Sequence, residues 1–236
     1  MTDEAFFELH RAIPRQGPGD ASDVLWALSV VGEPARVIDA GCGPGADTET
    51  LAEALPLAQI EAVDLTTHFI EEARARLECF GPRVNTREGD MRDITGPADL
   101  IWCAGSLYFL GLETALPLWR GALAPGGAIV FSEPVFLSSP PSAEVAAFWA
   151  DYPGVGTEAE LRRRIAGAGF ATRATRVITG RAWLNYYLPL MARAARLRIG
   201  AGPDLAAVLD AAEAEFARWR AAPDHIAYLL CVVAPE

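Results

Sequence analysis

Residues 37–46, VIDAGCGPGA, run from apolar side chains into an acid and then into three alternating glycines. Gly41, Gly43 and Gly45 remove Cβ atoms where a chain turns sharply and a ligand meets the main chain, and a following helix aims its free N–H groups at the same point. The spacing also satisfies the loose dinucleotide pattern G-x-G-x-x-G/A, with Ala46 last, so the loop alone leaves the ligand open. Asp39 narrows the choice. A carboxylate two residues ahead of the first glycine repels a pyrophosphate but suits a cationic amino-acid group, such as the α-ammonium of a sulfonium nucleoside. Asp64, with Leu65 beside it, ends the next apolar segment and can accept from both hydroxyls of a ribose. Asp90, in EGDMRD, follows the third segment, where it can accept from an adenine amino group while Met91 lies against the ring. Each acid alone is also an ordinary turn residue or helix cap. Three of them at the ends of successive segments favour cofactor binding.

For these residues to meet, the segments that carry them must be neighbouring strands. Short apolar stretches alternate with helical patterns, which predicts strands near 35–40, 59–64, 83–88, 98–103, 127–132, 171–178 and 225–234. Helices are expected near 20–31, 46–55, 67–79, 112–123, 157–168 and 204–221, with Gly-Pro pairs and Pro125-Gly-Gly127 at the joins. The fold class is therefore α/β, a Rossmann-like and mostly parallel sheet with helices on both faces. We expect one domain over residues 1–236: an N-terminal helical lid region (1–34), a cofactor-binding core (35–133), a substrate cap rich in Pro, Trp and Tyr (134–200), and a last helix and strand (201–236).

Composition excludes other classes. The net charge of −11, from 20 basic and 31 acidic residues, disfavours nucleic acid as a partner. The one basic cluster, Arg162-Arg163-Arg164, reads as a solvated helix face. The longest uncharged apolar run, 100–112, is too short to span a membrane, and the first residues are acidic where a secretory signal is basic, so a cytoplasmic protein is expected. Four cysteines scattered without C-x-x-C spacing suggest neither a zinc cage nor a disulfide framework, and no metal site is expected. The chain contains no lysine. That removes the Walker loop, the Tyr-x-x-x-Lys dehydrogenases and Schiff-base chemistry.

With these motifs in view, the chain resembles the class I S-adenosylmethionine-dependent methyltransferases, in their small-molecule type 11/25-like branch. It carries in order the glycine loop DAGCGPG, the ribose acid in AVDLT, the adenine acid in EGDMRD, a fourth strand in ADLIWCAGSLYFLG, and LAPGGAIVFSEP leading into a fifth. The resemblance implies a seven-stranded sheet whose last strand is antiparallel, with S-adenosyl-L-methionine as cofactor and S-adenosyl-L-homocysteine as product. It also implies main-chain contacts to the methionine part where Cys103, Ala104 and Gly105 close the fourth strand, with Cys42 of the glycine loop among the cofactor-binding residues. A bacterial subset of such proteins carries a stretch like Arg15-Gln-Gly-Pro-Gly19. Asp20 reads as a helix N-cap, whereas Arg15 can clamp the cofactor carboxylate or a substrate anion, with Gln16 beside it. Likeness to ubiquinone/menaquinone-type and trans-aconitate-type methyltransferases lies in the cofactor domain and transfers no substrate.

Tyr108, Trp149, Tyr152, Trp183 and Tyr187 suggest an aromatic pocket for a small organic acceptor, although cap aromatics commonly serve as core. Methyl transfer is an in-line displacement that depends mainly on alignment, so a general base is optional. The candidates are Tyr186, His225 and Glu133, the last expected at the rim of the same pocket. Two alternatives stand beside this expectation: an NAD(P)-dependent oxidoreductase, and a non-catalytic S-adenosylmethionine-binding protein. Association as a monomer or homodimer is left open.

Overall fold

The computed structural model describes residues 2–152 and 154–236. One mixed sheet runs in the order β3 (Val84–Glu88), β2 (Gln59–Asp64), β1 (Arg36–Ala40), β4 (Ala98–Cys103), β5 (Leu123–Phe136), β8 (Ile226–Pro235), β7 (Phe170–Ile178), and the two-residue β6 (Gly156–Thr157) adds to the end of β5. The first five strands pair in parallel. Strand β8 runs against the others, antiparallel to both β5 and β7, between which it is wedged. Its apolar run YLLCVVA is buried throughout, as a strand covered on both faces requires. Strand order reverses between β1 and β4, which opens a crevice at their carboxyl ends.

Residues alternate across the sheet. Val37, Leu100, Trp102, Val130 and Leu230 face one core. Ile38, Ile101, Cys103, Ile129, Phe131, Leu229 and Cys231 face the other, under α5 (Leu112–Arg120) and α7 (Glu158–Gly167). The first core holds α2 (Ala21–Val31) and α3 (Ala46–Ala54). Helix α4 (Thr67–Leu77) packs on the β1–β3 end through Ile70, Ala73 and Leu77. Local chemistry sets the helix starts: Asp20 with Asp23, and Thr157 with Glu160, form capping boxes that open α2 and α7.

Three helices lie outside those expected from periodicity. They are α1 (Asp3–His10), α6 (Ala143–Phe148) and α8 (Arg181–Leu197). Helix α8 carries Pro189 in its interior, a residue that normally ends a helical pattern. With α9 (Pro203–Ala221) these helices form a layer over the crevice, in which α1 packs on α8 and α9, and α6 packs on α9. Within the stretch 134–200, Glu158–Ile178 belongs to the sheet layers as α7 and β7, and α6 and α8 cover the crevice. Among the described residues no helix is long and apolar enough to cross a membrane.

Candidate functional site

The crevice at the β1/β4 switch point widens into a cavity of about 910 Å³ that continues beneath the helical layer. Its floor is the glycine loop, which hangs from the end of β2: the amides of Gly41 and Cys42 both donate to the Val63 carbonyl. Gly41 adopts φ +80°, and a Cβ there would fall onto the Ser106 hydroxyl. Ser106 in turn donates to the Ala40 carbonyl at 3.2 Å, tying the end of β1 to the end of β4. Main chain, with no side chain in the way, therefore faces the cavity here.

Four acids ring this floor. Asp64 accepts from the Gly43 amide at 2.8 Å and from the Thr66 amide at 2.9 Å, one bond to each oxygen, so it fixes the loop and retains a lone pair on each oxygen. Asp39 is buried and accepts from the Thr48 hydroxyl at 2.5 Å. Burial pushes its carboxyl up to about 8 against the pull of Thr48, and the nearby charges of Asp47 and Asp64 push it further. Asp47, in the first turn of α3, accepts from Arg15 at 2.7 Å and from the Trp102 indole at 3.2 Å. Asp90 caps a short 3-10 turn, where its oxygens accept from the Arg92 amide and guanidinium, each at 2.8 Å; the amide is the main reason its pKa falls. It still lies in the cavity wall with Met91, whose carbonyl is held by the Trp119 indole.

The 15–20 stretch reaches over the floor from the helical side. Arg15 donates its Nε to the Gly17 carbonyl and one terminal nitrogen to Asp47, and its remaining nitrogen makes no hydrogen bond to any described residue. Gln16 donates to the His10 carbonyl at 2.7 Å, while its buried Oε1 has no partner among the described residues. Asn185 on α8 donates to Gly19 and Asp20, stapling this stretch to the helical layer. Leu65 and Phe109 stand in the wall 68% and 71% exposed, flat apolar surface of the kind a purine covers.

Beneath the helical layer the wall turns aromatic. Trp183 stacks on Tyr228 with ring centres 5.3 Å apart, and Trp149 meets both edge-on. Tyr152 meets Trp149 and Tyr108 edge-on, extending the wall. Tyr186 lines the same chamber 3.5 Å from His10 Nε2. Glu215, on α9, joins this wall and accepts from the Tyr187 hydroxyl at 2.8 Å.

Most of the residues singled out from sequence meet in this cavity: Arg15, Gln16, Asp39, Gly41, Cys42, Gly43, Asp64, Leu65, Asp90, Met91 and Ala104 at one end, and Tyr108, Trp149, Tyr152, Trp183 and Tyr186 at the other. Four do not. His225 is exposed in the turn before β8, away from the wall. Tyr187 is fully buried behind the chamber, where it orients Glu215. The Cys103 thiol lies under α5, 3.1 Å from the Ser106 hydroxyl, and burial pushes it up to about 12. Glu133 corrects the expected rim position. Its strand parity matches Ile129, Phe131 and Val135, so the side chain enters the core on the opposite face from the chamber. Asp47, Trp102, Ser106, Tyr228 and Glu215 were not singled out. Asp47 reads from sequence as a first-turn acid favoured by the helix dipole. Nothing local marks Glu215 among the other charges of α9.

Glu133 is buried, its Oε1 lacks a partner among the described residues, and burial raises its pKa to about 7. The folded state thus keeps a proton that the unfolded chain releases near its ordinary 4.5. Stability is full below that value and is lost as pH rises through 7. The Glu133→Gln variant should be more stable than the parent at pH 8 by about 1–3 kcal/mol and near parity at pH 5, as read from urea unfolding at the two pH values.

Residues 37–127 match the family model described as a methyltransferase domain. The chain is 36% identical over 113 residues to the trans-aconitate 2-methyltransferase of Streptomyces avermitilis, covering 46% of this chain and 42% of that protein. It is 34% identical over 142 residues to the enzyme of that name from Paracidovorax citrulli, covering 56% and 52%. The chain thus spans about half the length of the curated relatives it matches. Whole-fold likeness is wider: a SAM-dependent methyltransferase from Geobacter sulfurreducens, crystallised with S-adenosyl-L-homocysteine, superposes with a TM-score of 0.85 at 20% identity over 100% of this chain and 99% of that one. The counterpart from Thiobacillus denitrificans gives 0.84 at 19%. Residues 37–127 thus match a methyltransferase domain, and the whole chain shares the fold of these two methyltransferase structures.

Proposed function

We propose that this chain binds S-adenosyl-L-methionine across the loops after β1–β4 and transfers its methyl group to a small organic acceptor held beneath the helical layer. The carrying observation is that the glycine loop, the strand-end acids and the aromatic chamber line one continuous cavity. The residues present fit the cofactor. Asp39 and the unpartnered Gln16 Oε1 supply acceptors for an α-ammonium, Asp64 keeps lone pairs for a ribose diol, and Leu65 and Met91 offer apolar surface to a purine. A diphosphate would meet four carboxylates and two arginines, Arg15 and Arg92, already paired to Asp47 and Asp90.

When bound, the cofactor supplies a methyl group on a sulfonium, an already activated leaving group. The protein aligns the acceptor and keeps water out. Trp149, Trp183 and Tyr228 wall the acceptor end, and the 15–20 stretch and α1 cover the cofactor end. Tyr186 is the hydroxyl placed to orient the acceptor, and burial raises its pKa, so it acts as a neutral hydrogen-bond donor. Tyr186→Phe should leave homocysteine-cofactor affinity unchanged and lower turnover about tenfold, measured by calorimetry and by release of S-adenosyl-L-homocysteine with an active acceptor. The proposal as a whole is tested by incubating the protein with methyl-labelled cofactor and panels of amines, phenols, carboxylic acids and thiols. Label transfer to one class supports it; S-adenosyl-L-homocysteine affinity without transfer to any class points to a binding protein.

A further inference from the structure

Resting on the methyltransferase reading above, we infer that the acceptor carries a cationic nitrogen on a flat apolar body, with the ammonium group held between Glu215 and the aromatic walls of the chamber. All five tyrosines of the chain, residues 108, 152, 186, 187 and 228, gather at this end of the molecule. They are joined by Trp149 and Trp183, with ring centres between 5.1 and 5.9 Å apart along the wall. Aromatic faces turned toward a cavity attract ammonium groups through the ring quadrupole, and the attraction grows as water is excluded.

The charge in the chamber points the same way. Glu215 is half-buried in the wall; burial first, and its nearby carboxylate as a lesser cause, raise the pKa of all five tyrosines. Its only hydrogen bond from a described residue is the neutral one from Tyr187, and no described arginine comes within ion-pair distance of it. The other charged groups at this end are Asp151 and the exposed Arg218, one turn along α9. A carboxylate with no ion-pair partner among the described residues, in a wall of tyrosines and tryptophans, is complementary to a cation. It disfavours a di- or tricarboxylate, which would need several arginines where the chamber has one.

The test uses three ligands of one shape: phenethylamine, 2-phenylethanol and 3-phenylpropionate. Each is titrated calorimetrically at pH 7.5 into the full chain saturated with S-adenosyl-L-homocysteine. The amine should bind at least about tenfold tighter than either analogue, and Glu215→Gln should remove that preference while leaving the alcohol unchanged. Glutamine still accepts from Tyr187, and an unaltered homocysteine-cofactor affinity reports that the variant is folded. Tighter binding of the carboxylate, equal or absent binding of all three, or an amine preference that survives Glu215→Gln overturns the inference while leaving the cofactor reading standing. Failure of the protein to saturate with S-adenosyl-L-homocysteine overturns the cofactor reading and the inference with it.

Discussion

Asp64→Ala is expected to weaken S-adenosyl-L-homocysteine binding by about 10²–10⁴-fold, because it removes two hydrogen bonds to a charged acceptor worth roughly 1.5–3 kcal/mol each. The same carboxylate also holds the Gly43 and Thr66 amides at 2.8 and 2.9 Å, so alanine frees the loop as well as the ribose. Asp64→Asn separates the two effects. The amide oxygen can keep one of the loop's N–H bonds, but half of the ribose acceptor capacity is gone. The expected affinity lies between those of the parent and the alanine variant, with an unfolding midpoint close to that of the parent. Calorimetry on both variants, alongside thermal unfolding, checks this. Parental affinity in the alanine variant would remove Asp64 from the ribose role.

Asp39→Asn has the second-largest expected effect, and it has two signs. In the free protein burial raises the Asp39 carboxyl from the usual 3.8 to about 8, so the folded chain holds a proton that the unfolded chain has lost. Below pH 4 the group costs nothing. Its cost grows as pH rises and is complete above about 8. Replacing it with a neutral isostere should therefore raise the melting temperature at pH 8 and change it little at pH 4. Cofactor binding moves the other way. An ammonium group requires the ionised carboxylate, so the parent must release a proton on binding below pH 8, and affinity should rise between pH 6 and 8. The asparagine variant loses the charge-assisted bond, about 10- to 100-fold in affinity, and with it the pH dependence. Titrations in buffers of different ionisation enthalpy read the released proton directly. An affinity independent of pH in the parent would show that Asp39 does not meet the cation.

The strands and the cofactor end were legible in the sequence because their signals are local. The β-rich segments carrying Asp39, Asp64 and Glu88 lie within a residue of their expected bounds, and the Gly41–Gly45 spacing is itself the loop's geometry. The helical layer was less legible. Helix α8 contains Pro189, which reads as a helix stop and hides the buried stripe of Trp183, Tyr187, Leu190 and Ala194 that runs past it. Glu133 failed for a matter of parity: counting along β5 gives its height in the sheet, but its face is set by pairing with β4 and β8. Glu215 and Trp102 reach the cavity only through tertiary packing, which brings α9 under the cap and the indole onto Asp47. Both were therefore invisible to spacing.

The most direct test is a calorimetric titration of the purified chain with S-adenosyl-L-homocysteine and, separately, with NADH. Binding of the adenosyl ligand in the micromolar range with none of NADH is the expected result for a glycine loop ringed by Asp39, Asp47 and Asp64. Binding of NADH without the adenosyl ligand would contradict it and return the loop to the dinucleotide pattern that its spacing also permits.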